Sequence, residues 1–343
     1  MADIQPVSLE DLPHLLSFIC PDDRDTWVRV GQGVKAEFGE DGFQPWLTWS
    51  AGGDGFKQTD ANQVWRSFRK RGVGFGTVIH LAKATGWRPS KTELTAEEKR
   101  RFREEQESRR AARQAQIEAD EAKIARMQAA VAAACLKIWT YKAETKGQSD
   151  YLDRKLVPNL GQIGYFNQTV LLWIDDQKET CGVISGSTVL EFFRKEPKPR
   201  PDHISYMQFR RGSICVPMFD GDGKLWSLQV INSTGVKLFP KFGRKSGCFH
   251  VLGNPGEGSL IGVAEGLATA ASVREATGWP VVIAFDAGNL VPVAAAVRPL
   301  NPLARLVFCA DRDEKGAGEK FARQAANNDG NALVVLPVFG EVA

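Results

Sequence analysis

The stretch IGVAEGLATAASVREATGWPVVIAFDAGNL (261–290), continued by RLVFCADRDEKGAGEKFARQAA (305–326), decides the fold of this chain. Short runs at Ile261–Ala264, Val281–Ala284, Arg305–Ala310 and Ala332–Leu336 are mainly apolar and have strand length. Between them, Leu267–Thr277, Val291–Val297 and Gly316–Ala326 have helical length and composition. Strands alternating with helices predict a parallel, doubly wound sheet of about four strands. Ligands of such sheets collect at the carboxyl ends of the strands. Here those ends read Glu265-Gly266, Asp286-Ala287-Gly288-Asn289 and Asp311-Arg312-Asp313. Strand alternation points Asp311 and Asp313 the same way. Two readings stand side by side. The acids are helix caps and turn formers, or they crowd one crevice, repel, and call for a hard divalent cation. Gly266 opens backbone N–H groups at a helix start, a place suited to phosphate.

Upstream, from about residue 150, strand patterns take over: Leu171–Ile174, Thr188–Phe192, Ile214–Phe219, Leu225–Ile231 and Val236–Phe239, with turns at DGDG (220–223) and NSTG (232–235). They predict a curled antiparallel sheet. Lys237, Lys241, Arg244 and Lys245 fall within nine residues, interleaved with Phe239 and Phe242. Cations alternating with aromatics suit a single nucleic-acid strand; lysines guarding a hairpin edge give the same pattern.

The first 90 residues hold five of the chain's nine tryptophans: Trp27, Trp46, Trp49, Trp65 and Trp87. Asp22–Asp25 offers an N-cap to a helical run through Val28, Val30, Val34 and Phe38. Val64–Arg69 and Thr77–Thr85 read as further short helices, so a small helical domain with a tryptophan core is expected. His80 is expected in that core. Arg66, Arg69, Lys70 and Arg71 form a basic patch open to DNA or a protein partner. From Lys91 to Arg126 there are 10 Lys/Arg against 9 Asp/Glu and no Gly or Pro. That predicts a long solvated helix, either a charged linker, a nucleic-acid arm or a coiled-coil seam. The apolar positions Ile117, Ile124, Met127 and Val131 begin only late in it. The expected divisions are 1–90, 91–146, 147–257 and 258–343.

Composition bounds the class. With 43% hydrophobic and 25% charged residues, and no apolar run near the length of a bilayer span, a soluble cytoplasmic protein is expected. Neither a secretory leader nor a membrane partner is expected. The net charge of +3 carries no partner information by itself. The six cysteines lie far apart with no C-x-x-C pair, so they are expected as reduced core residues without zinc. There is no Walker A motif, hence no helicase engine.

VAEGLATAASV (263–273), IAFDAGNL (283–290) and FCADRDEKGAGEKFARQAA (308–326) resemble the signature segments of Toprim domains, most nearly those of phage- and plasmid-type primases. FRRGSICVPMFDGDGKLWSLQVINSTGVKLFPKFGRKSGCFH (209–250) resembles the sheet subdomain that precedes Toprim in bacterial-type primases, and SDYLDRKLV (149–157) its entry segment. The tryptophan-rich start is similar to the small helical domain attached to many mobile-element primases. The resemblance implies an α/β multidomain chain: helical N-terminal domain, charged helix, antiparallel sheet subdomain and Rossmann-like Toprim subdomain. It implies a DNA primase that makes RNA primers on single-stranded DNA from ribonucleoside triphosphates. A Toprim nuclease and a non-catalytic single-strand-binding accessory are the alternatives. By the resemblance, Glu265 is the general acid/base, and Asp311 and Asp313, with Glu265 and Asp286, hold Mg²⁺ or Mn²⁺. Gly266, Asn289, Arg312 and Lys237 would contact phosphate or nucleotide. Arg211, Lys237, Lys241, Arg244 and Lys245 would line the DNA groove. Arg312 departs from the asparagine many primases carry between the two aspartates, and the Cys/His zinc module usual in bacterial primases has no counterpart here. A replicative helicase, in trans or on a further C-terminal extension, is the expected partner.

Overall fold

The computed structural model describes residues 7–68, 73–88, 95–157, 162–257, 259–311 and 316–337. The chain divides into two compact units, Met1–Glu118 and Ala119–Ala343.

The first unit is helical: α1 (Leu12–Leu16), α2 (Arg24–Phe38), α3 (Phe43–Ser50), α4 (Gln58–Ser67), α5 (Phe75–Ala84) and the first turns of α6 (Ala96–Tyr141). Asp23 caps α2 by accepting from the Thr26 amide at 2.8 Å, which satisfies a donor that the first helical turn leaves unpaired. The tryptophans form the core. Trp46 is fully buried, with ring centroids 4.8 Å from Trp27 and 5.1 Å from Trp65. Such pairs add about 0.5–1.5 kcal/mol each beyond their area burial. Gly31 of α2 lies where any Cβ would strike Phe68 and Trp46, so the helix crossing itself demands glycine there. His80 is not in this core; it is exposed, because Phe75, Val78, Ile79 and Ala82 already fill the buried face of α5. Arg66 is exposed, while Arg69, Lys70 and Arg71 lie outside the described residues.

The second unit contains the rest of α6. Met127, Val131, Cys135 and Ile138 of that helix are buried against a sheet core that includes Leu172, Phe209 and Leu228. The linker description therefore fails for this end of the helix: an apolar stripe at i, i+4, i+8 and i+11 has a sheet to bury it. After α7 (Asp150–Arg154) come β1 (Gly164–Tyr165), β2 (Val170–Asp175), β3 (Thr180–Ser185), α8 (Ser187–Lys195), β4 (Ile204–Phe209), β5 (Ile214–Phe219), β6 (Leu225–Ile231) and β7 (Lys237–Leu238). They form two antiparallel sheets, ordered β1-β5-β6-β7 and β3-β2-β4, rather than one curled sheet. Thr188–Phe192, expected as a strand, is the helix α8. Gly186, at φ +67°, turns the chain out of β3, and Val189, Phe192 and Phe193 then recur at helical spacing. β3 escaped the sequence reading because Gly182 interrupts it; its cross-strand neighbour Trp173 lays its indole over that glycine and leaves no room for a Cβ.

The last layer comprises β8 (His250–Leu252), β9 (Leu260–Ala264), α9 (Leu267–Thr277), β10 (Val281–Ile283), α10 (Leu290–Val297), β11 (Arg305–Cys309), α11 (Ala317–Asp329) and β12 (Ala332–Val335). The sheet order is β12-β11-β9-β10-β8, parallel except for β8, which pairs antiparallel with β10. The chain moves one way from β9 to β10 and returns past β9 to reach β11. The strand order thus reverses between β9 and β11, which defines the topological switch point. Among the described residues, no helix is long and apolar enough to cross a membrane. All six cysteines are free; Cys135, Cys215 and Cys248 are buried, but Cys20 is exposed and so departs from the core expectation.

Candidate active site

Register places the switch-point residues side by side: Cys309 pairs with Ala264, so Glu265 and Asp311 emerge next to one another beyond the ends of β9 and β11. The start of α11 closes over them. A Cβ on Gly318 would lie 2.5 Å from Glu265 Oε1 and 2.7 Å from the Asp311 carbonyl oxygen, so only glycine lets this helix approach. Thr269, in the first turn of α9, donates its hydroxyl to Asp311 Oδ1 at 3.2 Å. Glu265 is half-buried and Asp311 exposed. Asp313 and Arg312 lie outside the described residues. Among the described residues, no group of three or more His, Cys, Asp or Glu side chains is arranged to hold a metal ion.

Gly266 caps α9 without a side chain. Lys237 reaches it from β7: a Cβ on Gly266 would meet the Lys237 Nζ at 3.1 Å. Gly266, Thr269, Asp311 and Lys237 line one cleft of about 440 Å³, together with Arg154 of α7 and Lys155 just after it. Those two cations were not among the expected site residues, although the resemblance at 149–157 pointed to their segment. Arg154 also donates to the Ser233 carbonyl at 2.6 Å, which braces the β6–β7 turn.

Asp286, expected in the metal set, has protein partners of its own. Its Oδ1 accepts from the Asn289 amide at 2.9 Å, as the cap of the turn Ala287–Asn289, and its Oδ2 pairs with Lys245. β10 lies one strand beyond the switch point, and there this carboxylate serves the turn and the neighbouring loop. Asn289 is held by backbone partners. It is buried, accepts from the Gly247 amide at 2.9 Å, and donates to the carbonyls of Cys248 (3.0 Å) and Ala284 (2.8 Å).

The basic loop is largely neutralised from within. Lys241 pairs with Asp176, Arg244 lies 3.9 Å from Asp220 and over the Trp226 ring, and Lys245 holds Asp286. Burial pushes the Asp220 carboxyl up. Hydrogen bonds from Trp226 Nε1 and from the Lys224 and Asp222 amides, with Arg244 nearby, outweigh this and hold it below the usual carboxylate range. Arg211 is exposed in the β4–β5 turn and lines neither the Asp311 cleft nor the groove beside Lys241.

Residues 12–82 match the family described as Primase C terminal 2 (PriCT-2), and residues 260–341 match the Toprim domain. Two DNA primases TraC of Escherichia coli are similar over 134 residues, one 38% and the other 36% identical. The match covers 36% of this chain, but only 12% and 9% of the two relatives. Among solved structures, the DnaG primase catalytic domain bound to ssDNA shares 16% identity, covering 63% of this chain and 74% of that one, at a TM-score of 0.41. The primase fragment of the bacteriophage T7 primase-helicase shares 20% identity over 37% of this chain and 54% of that one, at a TM-score of 0.28. The chain therefore carries a PriCT-2 segment and a Toprim domain, and over 134 residues it is similar to the DNA primases TraC.

Proposed function

We propose that this Toprim protein is a DNA primase of a phage, plasmid or integrated element, joining ribonucleoside triphosphates into a short primer on single-stranded DNA. The observation that carries the reading is the meeting of Glu265, Asp311, Gly266 and Lys237 at the switch point of the parallel sheet. The hard-oxygen donors Glu265 and Asp311, with Asp313, suit a divalent ion such as Mg²⁺, which would neutralise charge on the phosphates in the transition state.

The chain's own groups have separable tasks. Glu265 takes the proton of the attacking 3′-hydroxyl as the new O–P bond forms. The α–β bridge of the incoming triphosphate then breaks, and pyrophosphate leaves carrying the negative charge. Lys237 and the open N–H groups after Gly266 hold that polyphosphate through charge and backbone hydrogen bonds. Arg154 and Lys155 add positive potential at the cleft mouth. The template would follow the Lys237 side of the basic loop, and a replicative helicase is the proposed partner, its manner of association left open.

The test is primer synthesis on single-stranded DNA with labelled ribonucleotides and Mg²⁺ or Mn²⁺, wild type beside Asp311→Asn. Short RNA products that vanish in the variant are expected. Nicked template without RNA would replace this reading by a nuclease, and binding without either product by an accessory protein.

A further inference from the structure

We infer that a second cleft, along the free edge of β4, receives one unstacked base of the nucleic-acid strand held at the Asp311 cleft. The inference rests on the primase reading for its ligand and on separate geometry for its place. Among the described residues, β4 pairs only with β2 and β7 only with β6, so each sheet presents an edge strand. Between those edges lies a cleft of about 550 Å³, within the size range of small-molecule sites.

Its chemistry is that of a base pocket. Tyr206, Phe239 and the 47%-exposed Leu238 form aromatic and aliphatic walls over the buried Ile174 and Val230. The Tyr206 ring is fixed by Phe193, edge-on at 5.0 Å, and by Arg200 over its face. The polar lining is Ser205, Gln208, Ser213 and Asn232, with the cations Arg210 and Lys241. The Ser205 hydroxyl is buried there with no hydrogen-bond partner among the described residues. Gln208 accepts from Arg210 Nε at 3.1 Å through its amide oxygen, which leaves its N–H pair for a ligand. Aromatic and aliphatic walls beside hydrogen-bonding groups suit the faces and edge of a nucleobase. Sugar–phosphate would gain nothing from the apolar surface.

Continuity with the first cleft argues for a strand rather than a free nucleotide. Asn232 and Leu238 line the β4 cleft, while Thr234, Gly235 and Lys237 line the cleft that holds Asp311. Neighbouring residues of a strand face opposite sides, so the β6–β7 hairpin is a thin wall between the two. A strand crossing it leaves a phosphate at Lys237 and drops the adjoining base against Leu238.

The test uses the full chain and two probes of equal length, oligothymidylate and an abasic sugar–phosphate oligomer, titrated at several salt concentrations. Wild type should prefer the strand with bases by roughly 5- to 150-fold, the worth of one stacked base. Gln208→Ala with Leu238→Ala should lower that preference to near unity while leaving abasic binding and the salt slope unchanged. Leu238→Ala alone, at an exposed position, should give a partial loss with the melting temperature unaltered. An undiminished preference in the double variant would overturn the inference while the primase reading stands, and would leave the β4 edge to a peptide strand. Failure of wild type to bind either probe would overturn both.

Discussion

The acids at the strand ends and the cations of residues 237–245 look alike in one respect: each is a cluster of like charges in the sequence, and folding treats the two clusters in parallel. Of the described acids, Glu265 and Asp311 face the switch point and Asp286 is consumed as a cap and ion-pair partner. Of the cations, Lys241, Arg244 and Lys245 are answered by Asp176, Asp220 and Asp286, while Lys237 reaches Gly266. Asp311 and Lys237 line one cleft, and strand register sets Glu265 beside Asp311. Charge density along a chain therefore nominates candidates, and topology decides which remain available for a ligand.

The comparison breaks most visibly if the acidic end tolerates crowding. Gly318→Ala would press a Cβ against Glu265 and against a backbone carbonyl that cannot swing away. Misplacement of that order should cut primer synthesis about a hundredfold with single-strand affinity unchanged; a variant retaining more than about a tenth of wild-type activity would mean that the Glu265 position is uncritical. His250 on β8 marks the opposite extreme, a titratable group removed from use by burial, which pulls its pKa from 6.5 down to about 4 despite a hydrogen bond its ring donates to the Gln162 backbone. The unfolded chain binds a proton below 6.5 that the folded chain refuses. Stability is thus full above pH 6.5 and is lost as the pH falls toward 4. Chemical denaturation at pH 6.5 and pH 5 should show about 2 kcal/mol lost from this source, and His250→Gln should remove that increment.

Within the basic loop the effects should be unequal. Lys237→Ala should weaken single-strand binding and lower the salt slope by about 1, whereas Lys241→Ala, whose charge is already paired, should change the slope little. Equal slopes for the two variants would restore the loop as one continuous DNA contact. Asp286→Ala should be the mildest of the series for catalysis. It removes a cap worth about 1 kcal/mol, visible in urea denaturation, and should leave activity per folded molecule intact. Lost activity at full folding would return Asp286 to the metal set.

Much of this was legible beforehand. Periodicity in 261–336 is strong because buried parallel strands and their covering helices differ so plainly in length, and Glu265, Gly266, Asp311 and Lys237 could be read directly from strand ends and spacing. Strand order could not. Nothing local says that β11 sits beside β9 and not beside β10, so Asp286 looked equivalent to the other acids. The pairing of Lys241 with Asp176 spans 65 positions and leaves no sequence signal. Asn289 resembled a ligand because its segment resembled a family motif, yet its amide clasps the chain at Gly247 and Cys248. Thr188–Phe192 was misread because five residues with apolar members fit a strand as well as a helix until Gly186 and Phe193 are counted.

The most direct measurement pairs two readouts on one variant: primer yield and single-strand affinity for Glu265→Gln. If the acidic end performs the chemistry and the Lys237 side does the holding, primer yield should fall by three or more powers of ten, on the order of losses at catalytic groups, with the dissociation constant within about twofold of wild type. Parallel loss of affinity and yield would contradict that division and make Glu265 a support of the strand-binding surface.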